Sequence, residues 1–194
     1  MSDSPAFTFH PLTPDRWHDF ETLLGPKGAY GGCWCMEWRN TPAEQKARKG
    51  EGNRRAMKGI VESGPPPGLL AYDGDKPVGW CSVAPRAVFT RLERSRVLQP
   101  VDDSDVWSIS CFFIARSHRK HGVSVGLLAA AADFVAEQGG TILEGYPIDP
   151  KKEPYPSPYA WTGLARAFRK AGFTEVLRRS ETRPIMRKTV GGAA

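Results

Sequence analysis

Apolar positions along the chain change period several times, and the changes mark out its elements. Phe7-Thr8-Phe9-His10 alternates apolar and polar residues, the period of a half-buried first strand. Trp17, Phe20 and Leu24 then recur at helical spacing. They predict a helix with one buried stripe, entered through Thr13 as N-cap with Pro14 behind it and ended at Gly25. Thr41-Pro42-Ala43-Glu44 has the residues of a capping box, so a second helix starts there. It breaks near Gly50-Glu51-Gly52 and resumes to about Ser63. Pro65-Pro66-Pro67-Gly68 is a rigid connector into a hairpin, Leu69 to Asp73 and Val78 to Val83, turning at Asp73-Gly74-Asp75-Lys76. From Pro85 to Pro100 the chain is polar and basic, with a short helix expected over Ala87 to Ser95.

The centre of the pattern is the stretch from Asp105 to Gln138. Val106 to Ile114 is a β-branched and aromatic run, read as a buried strand. Arg116-Ser117-His118-Arg119-Lys120-His121-Gly122 follows as a basic loop, and Val123 to Gln138 is an Ala- and Leu-rich helix stopped by Gly139-Gly140. A strand, a glycine-bearing turn and a helix start point free N–H groups into the turn. Those groups, the helix dipole, and the side chains of Arg119, Lys120 and His121 together favour a phosphate there. Thr141 to Tyr146 is a further strand, Pro147 to Pro158 a proline-rich loop, and Thr162 to Lys170 a last helix ending at Ala171-Gly172-Phe173. Thr174 to Leu177 and Pro184 to Arg187 close an antiparallel pair. The order gives a mixed α+β domain spanning residues 1–194, with no repeat and no linker to a second domain.

Composition narrows the classes. No run is long and apolar enough to span a membrane and no signal-peptide core opens the chain, so a soluble cytoplasmic protein is expected. Four cysteines in 194 residues do not make a disulfide framework, and Cys33-x-Cys35 lacks the second ligand pair of structural zinc, so no metal is expected. The net charge of +6 suits an anionic ligand. Nucleic acid is the rival partner, supported by the basic residues between Lys46 and Lys58, but a solvated helix face explains those and no nucleic-acid-binding motif is present.

Neither a P-loop nor a dinucleotide fingerprint fits the central turn. Arg119-Lys120-His121-Gly122-Val123-Ser124 instead resembles the Arg/Gln-x-x-Gly-x-Gly/Ala signature of the GNAT superfamily of acyl-CoA-dependent N-acyltransferases, with Ser124 replacing the last small residue. Phe112-x-Ile114 falls where that family has an apolar pair before the loop. Phe168-Arg169-Lys170-Ala171-Gly172-Phe173 is similar to its Leu-Tyr-x-x-x-Gly-Phe, with Phe168 in place of the tyrosine that is a candidate acid for the leaving thiolate. Trp161 stands where many members have Asn. The element order also matches, from Phe7 to Lys188.

The resemblance implies a central, mostly antiparallel twisted sheet with helices on both faces. It also implies direct transfer of an acetyl group from acetyl-CoA to a small-molecule or peptide amine. Phe112, Phe113, Ile114, Arg119, Lys120, His121, Gly122, Val123 and Ser124 would hold the cofactor. A backbone N–H near the splayed end of the central strand would polarise the thioester carbonyl. That strand lacks the family's frequent Glu, which leaves Glu37 and Glu144 for the base, and Tyr159, with Tyr155 second, for the acid. Gly31 to Arg39, rich in Trp and Cys, reads either as a pocket-lining loop or as an aromatic cap on the core. In the first case Trp34, Glu37 and Trp38 bind the acceptor, the tryptophans through stacking or a cation over a π face. Cys111 reads as a small apolar core residue rather than an acyl carrier. The missing Tyr and Glu keep open a catalytically idle acyl-CoA-binding protein of the same fold, and a homodimer is allowed.

Overall fold

The computed structural model describes residues 7–152 and 154–191. Both ends of the expected 1–194 domain, and Glu153 in the proline-rich loop, lie outside the described residues. Seven strands form one sheet in the order β1 (Thr8–Pro11), β2 (Gly68–Asp73), β3 (Lys76–Pro85), β4 (Trp107–Ile114), β5 (Ile142–Gly145), β7 (Pro184–Thr189) and β6 (Thr174–Arg178). Every neighbouring pair is antiparallel except β4 with β5. The expected mixed α+β architecture is what forms.

The central strands are buried on both faces, so adjacent residues of one strand serve different cores. Leu69 and Ala71 of β2 join a core under α5 (Val123–Glu137) and α6 (Ala165–Lys170). Leu70 and Tyr72 join a second core under α1 (Trp17–Leu24) and α3 (Glu51–Ser63). Helix α5 lies close to the sheet because it is built of small residues. A Cβ added at Gly126 would come within 2.3 Å of the Phe9 ring.

Local signals set most boundaries. The capping box opens α2 (Pro42–Arg48): the Thr41 hydroxyl accepts from the Glu44 N–H, and the Glu44 carboxylate accepts from the Thr41 N–H at 2.8 Å. Three expectations shift. Thr13 does not cap α1; it precedes a 3-10 turn and its hydroxyl accepts from Arg16 Nη1 at 3.0 Å instead. The helix expected over Ala87 to Ser95 splits into a 3-10 turn at Arg86–Val88 and one turn, α4 (Thr90–Glu93). The last helix starts at Ala165 rather than Thr162, because Gly163 sits at φ +86°, outside helical space.

One irregularity positions the site. The β3–β4 register shifts between Ser82 and Val83, leaving Ser110 as an extra residue on β4. A bulge of this kind bends its strand and resets the alternation of side chains. Ile109 and Phe112, three apart, thus share the α5-side core, while Cys111 enters the α1-side core. The parallel pairing of β4 with β5 ends at Ile109 and Gly145. Beyond it the two strands part, and the gap is the base of a cleft.

Candidate active site

At the mouth of that gap the chain turns through Lys120, at φ +68°, and Gly122, at φ +84°, before α5 begins. Two left-handed residues so close turn successive N–H groups towards one side, the geometry of an anion nest. Among the described residues, no well-formed backbone hydrogen bond outside the helices and strands uses an N–H of residues 119–124. The first inward bonds of the helix are those of Val125 and Gly126 to the Gly122 carbonyl, at 2.9 and 3.0 Å. The 15-residue α5 thus presents its positive dipole end and its open amides to solvent at the turn. Arg119 donates from Nε to the Ile114 carbonyl at 3.1 Å, tying the turn to the end of β4. His118 bridges Ser117 and Asp73, at 2.8 and 3.0 Å, and fixes the base of the loop.

The cleft behind the turn has a volume of about 1020 Å³. Phe112, Phe113, Ile114, Arg119, Lys120, Gly122, Val123 and Ser124 line it, as do Glu37 and Tyr159. His121 is exposed beside the turn and does not line it. The sequence reading overlooked His118, Arg166 and Lys170, which also face the cleft. Arg166 and Lys170 are four apart on α6, so their common face was visible in the spacing, but not its direction.

The strand edge expected to polarise the thioester is engaged. The Phe112 N–H donates to the Trp161 carbonyl at 2.6 Å, so the segment before α6 occupies part of the space between β4 and β5. Phe168, at the position of the family's tyrosine, is fully buried and packs edge-on against Phe112 and Phe173.

Glu37 reaches the cleft half-buried, with its carboxylate in an ion pair with Arg91. The loop carrying it is strained. Trp34 and Cys35 hold φ of +48° and +55°, which costs about 1–3 kcal/mol for each non-glycine residue. Packing offsets that cost. Trp34 is buried against Trp17 and Phe20, at ring-centre distances of 6.3 and 6.2 Å, so it caps the core and does not line the acceptor pocket as expected. Trp38 does not line the cleft either; it lies against Trp161 at 5.6 Å, with the Arg91 guanidinium over its ring.

Glu144 needs the same correction. It is fully buried, and both oxygens are taken: Oε1 by Arg86 Nη1 at 3.2 Å and the Tyr146 hydroxyl at 2.6 Å, Oε2 by Arg187 Nε at 2.7 Å. Ser108 donates in turn to the Tyr146 oxygen at 2.7 Å. Burial in the first place, then the Glu144 charge, pushes the Tyr146 hydroxyl above its ordinary pKa. A carboxylate so enclosed is an anchor of the sheet, out of reach of the cleft.

All four cysteines are free thiols. Burial and the neighbouring Cys35 push Cys33 up to about 12, and burial raises Cys81. Cys111 is raised by its hydrogen bond to Cys35 and by burial. Near neutral pH these three carry their protons, so Cys111 is no ready acyl acceptor.

Comparison with known proteins now decides the family. A model of the acetyltransferase (GNAT) family matches residues 32–146, more than half of the chain, including the bulged strand, the turn and α5. The chain belongs to this family. It is therefore an acyltransferase by family. Solved structures share the fold of this GNAT chain at low identity. A mosquito arylalkylamine N-acetyltransferase-like protein aligns with TM-score 0.57 and 12% identity over 95% of this chain and 100% of that one. An acetyltransferase of the GNAT family from Listeria monocytogenes gives 0.54 and 11% over 95% of both chains. The PaiA N-acetyltransferase of Thermoplasma acidophilum, solved with coenzyme A, gives 0.53 and 9% over 95% and 99%. No curated protein matches the sequence. Among the described residues, no helix of this GNAT protein is long and apolar enough to cross a membrane.

Proposed function

We propose that the chain acts as a single N-acetyltransferase domain that moves an acetyl group from acetyl-CoA directly to an amine within a ternary complex. The observation that carries this reading is the open amide turn of residues 119–124 at the mouth of the split between β4 and β5. A pyrophosphate fits there: Gly122 removes the side chain that would stand before the amides, and nothing lies within 4 Å of the Cβ position it leaves free. Arg119 and Lys120 add charge, and Arg166 and Lys170 are placed to meet further phosphate oxygens along the cleft. The edge of β4 from Phe112 to Ile114 takes the pantetheine arm. For Phe112 to polarise the thioester carbonyl, its N–H exchanges the Trp161 carbonyl for that oxygen, so the segment before α6 moves when cofactor binds.

Glu37 is assigned to the acceptor. Its carboxylate, ion-paired with Arg91, attracts an ammonium and takes its proton before attack. Glu144, enclosed by three donors, is assigned to structure. Phe168 has no proton to give, so Tyr159, exposed at the cleft, is assigned as donor to the leaving thiolate. Four free cysteines suit a reducing compartment such as the cytoplasm. The acceptor is a small-molecule or peptide amine, and a positive group on it suits Glu37.

A second reading, an idle acyl-CoA binder, draws on the engaged Phe112 N–H and on Phe168. One experiment separates the two. Acetyl-CoA binding is measured by calorimetry, and amine-dependent release of free CoA is followed with a thiol reagent over a panel of amines. Binding with turnover supports the enzyme. Binding without turnover on any amine supports the idle protein, and no binding sinks both.

A further inference from the structure

We propose that Cys35 and Cys111 form a peroxide-oxidisable dithiol, a covalent modification site in the acceptor-side wall of the cleft. The two residues are far apart in sequence, yet their Sγ atoms lie 3.3 Å apart, with both residues buried and both lining the cleft. A disulfide bond is about 2.05 Å long, so closure draws the sulfurs together by only about 1.2 Å. Two features of the fold bring them this close. The bulge at Ser110 directs Cys111 to the α1 side of β4, and the left-handed backbone at Trp34 and Cys35 directs Cys35 at it. That strained pair of residues is held in place by the burial of Trp34 and by the Trp80 Nε1–H, which donates to Cys35 Sγ at 3.0 Å.

The surroundings distinguish the two sulfurs. Cys35 Sγ accepts from Trp80 and, with Cys111 carrying its proton, from the Cys111 S–H. The Arg39 guanidinium lies near enough for its charge to act on Cys35. Its Nε and Nη2 are shut off from solvent without a hydrogen-bond partner among the described residues, and the guanidinium stands over the Phe89 ring at 4.8 Å. The Trp80 N–H and the Cys111 S–H both point at Cys35 Sγ, whereas Cys111 is held protonated by that hydrogen bond to Cys35 and by burial. Cys35 is thus the attacking sulfur and Cys111 the resolving one.

The oxidant is hydrogen peroxide, small enough to enter the cleft. The Cys35 thiolate attacks one peroxide oxygen, the O–O bond breaks, and the departing hydroxide takes a proton to leave as water. The resulting Cys35 sulfenic acid is then attacked at sulfur by Cys111, which gives up its proton; the S–O bond breaks and a second water leaves. Overall two thiols lose two hydrogens, and one peroxide becomes two waters. The product ties the Gly31 to Arg39 loop to β4, two residues from Glu37.

The test uses the reduced full-length protein treated with hydrogen peroxide under native conditions, then quenched, unfolded and thiol-titrated, with its peptides mapped by mass. The expected result is a fall from four free thiols to two, a loss of two hydrogens in mass, and a crosslink between the Cys35 and Cys111 peptides that dithiothreitol reverses. In a Cys111→Ser variant, Cys35 should stop at the sulfenic acid and be trapped by dimedone. The proposal is overturned if all four thiols survive in the folded protein, if Cys33 forms the crosslink instead, or if the Cys35–Cys111 link appears only after unfolding. These readouts need no acetyl transfer, so failure here is distinct from failure of the enzyme assignment.

Discussion

Replacing Glu144 by Gln keeps the shape of the side chain and removes its charge, so it separates an anchoring carboxylate from a catalytic one. In the native protein three donors meet two oxygens, Arg86 and Tyr146 at Oε1 and Arg187 at Oε2. The amide nitrogen of Gln must face one of these sites, setting donor against donor, and neither arginine keeps its carboxylate here. Arg187 retains Asp102 at 2.7 Å and Arg86 retains Glu93 at 2.8 Å, which limits the damage. Removing one partner of a buried ion pair costs about 3–5 kcal/mol, and these remaining contacts place the cost near about 3 kcal/mol. With a urea m-value of about 2 kcal/mol/M, the unfolding midpoint should fall by about 1.5 M. Acetyl-CoA affinity, measured well below the transition, should stay within about two-fold of the parent, as Glu144 does not line the cleft. A midpoint unchanged within about 0.3 M, or a fully folded variant that has lost turnover alone, would refute this account and return the base to β5.

Further outcomes follow from the site. Gly122→Val forces a β-branched residue to φ +84° in front of the amide turn, so calorimetry should show acetyl-CoA affinity lower by at least about a hundred-fold, while the backbone strain of about 1–3 kcal/mol lowers the urea midpoint by about 0.5–1.5 M. Glu37→Gln should lower kcat by about ten- to a hundred-fold at nearly constant acetyl-CoA affinity, and the parent rate should rise with pH as the acceptor ammonium loses its proton; an equal rate in the variant removes Glu37 from the chemistry. Tyr159→Phe should cost about ten-fold in turnover; a fully active variant shows that solvent protonates the thiolate. Asp149 sits between Arg169 and Arg178, at 2.9 and 2.7 Å, and their hydrogen bonds hold its pKa below the ordinary carboxylate value. Because the folded pKa is the lower one, its stabilisation is present above about pH 4 and is lost as pH falls through the folded value. The stability difference between the parent and Asp149→Asn should therefore shrink on acidification below about pH 4, and a difference flat with pH contradicts the assignment.

Local rules made much of this protein legible from its residues. The run Val106 to Ile114, the glycine-bearing basic turn and the Ala-rich helix are short-range features, and each forms where the pattern puts it, because strand period, helix propensity and a left-handed glycine act over a few residues. The resemblance in Arg119 to Ser124 belongs to that same local stretch, and with it the family. The other half of the cleft depended on tertiary structure. Glu37 and Glu144 are equivalent in sequence, two carboxylates near apolar residues; only the packing of Arg86, Arg187 and Tyr146 around one of them separates their roles. Trp34 and Trp38 carry the same ring, yet one is fixed in the core by a left-handed backbone and the other lies against Trp161. The contact of Cys35 with Cys111 spans 76 positions and rests on a bulge in β4 and a strained loop, neither of which leaves a periodic trace. Charges, rings and thiols take their roles from neighbours brought by the fold, and those neighbours are chosen by long-range packing that no local pattern encodes.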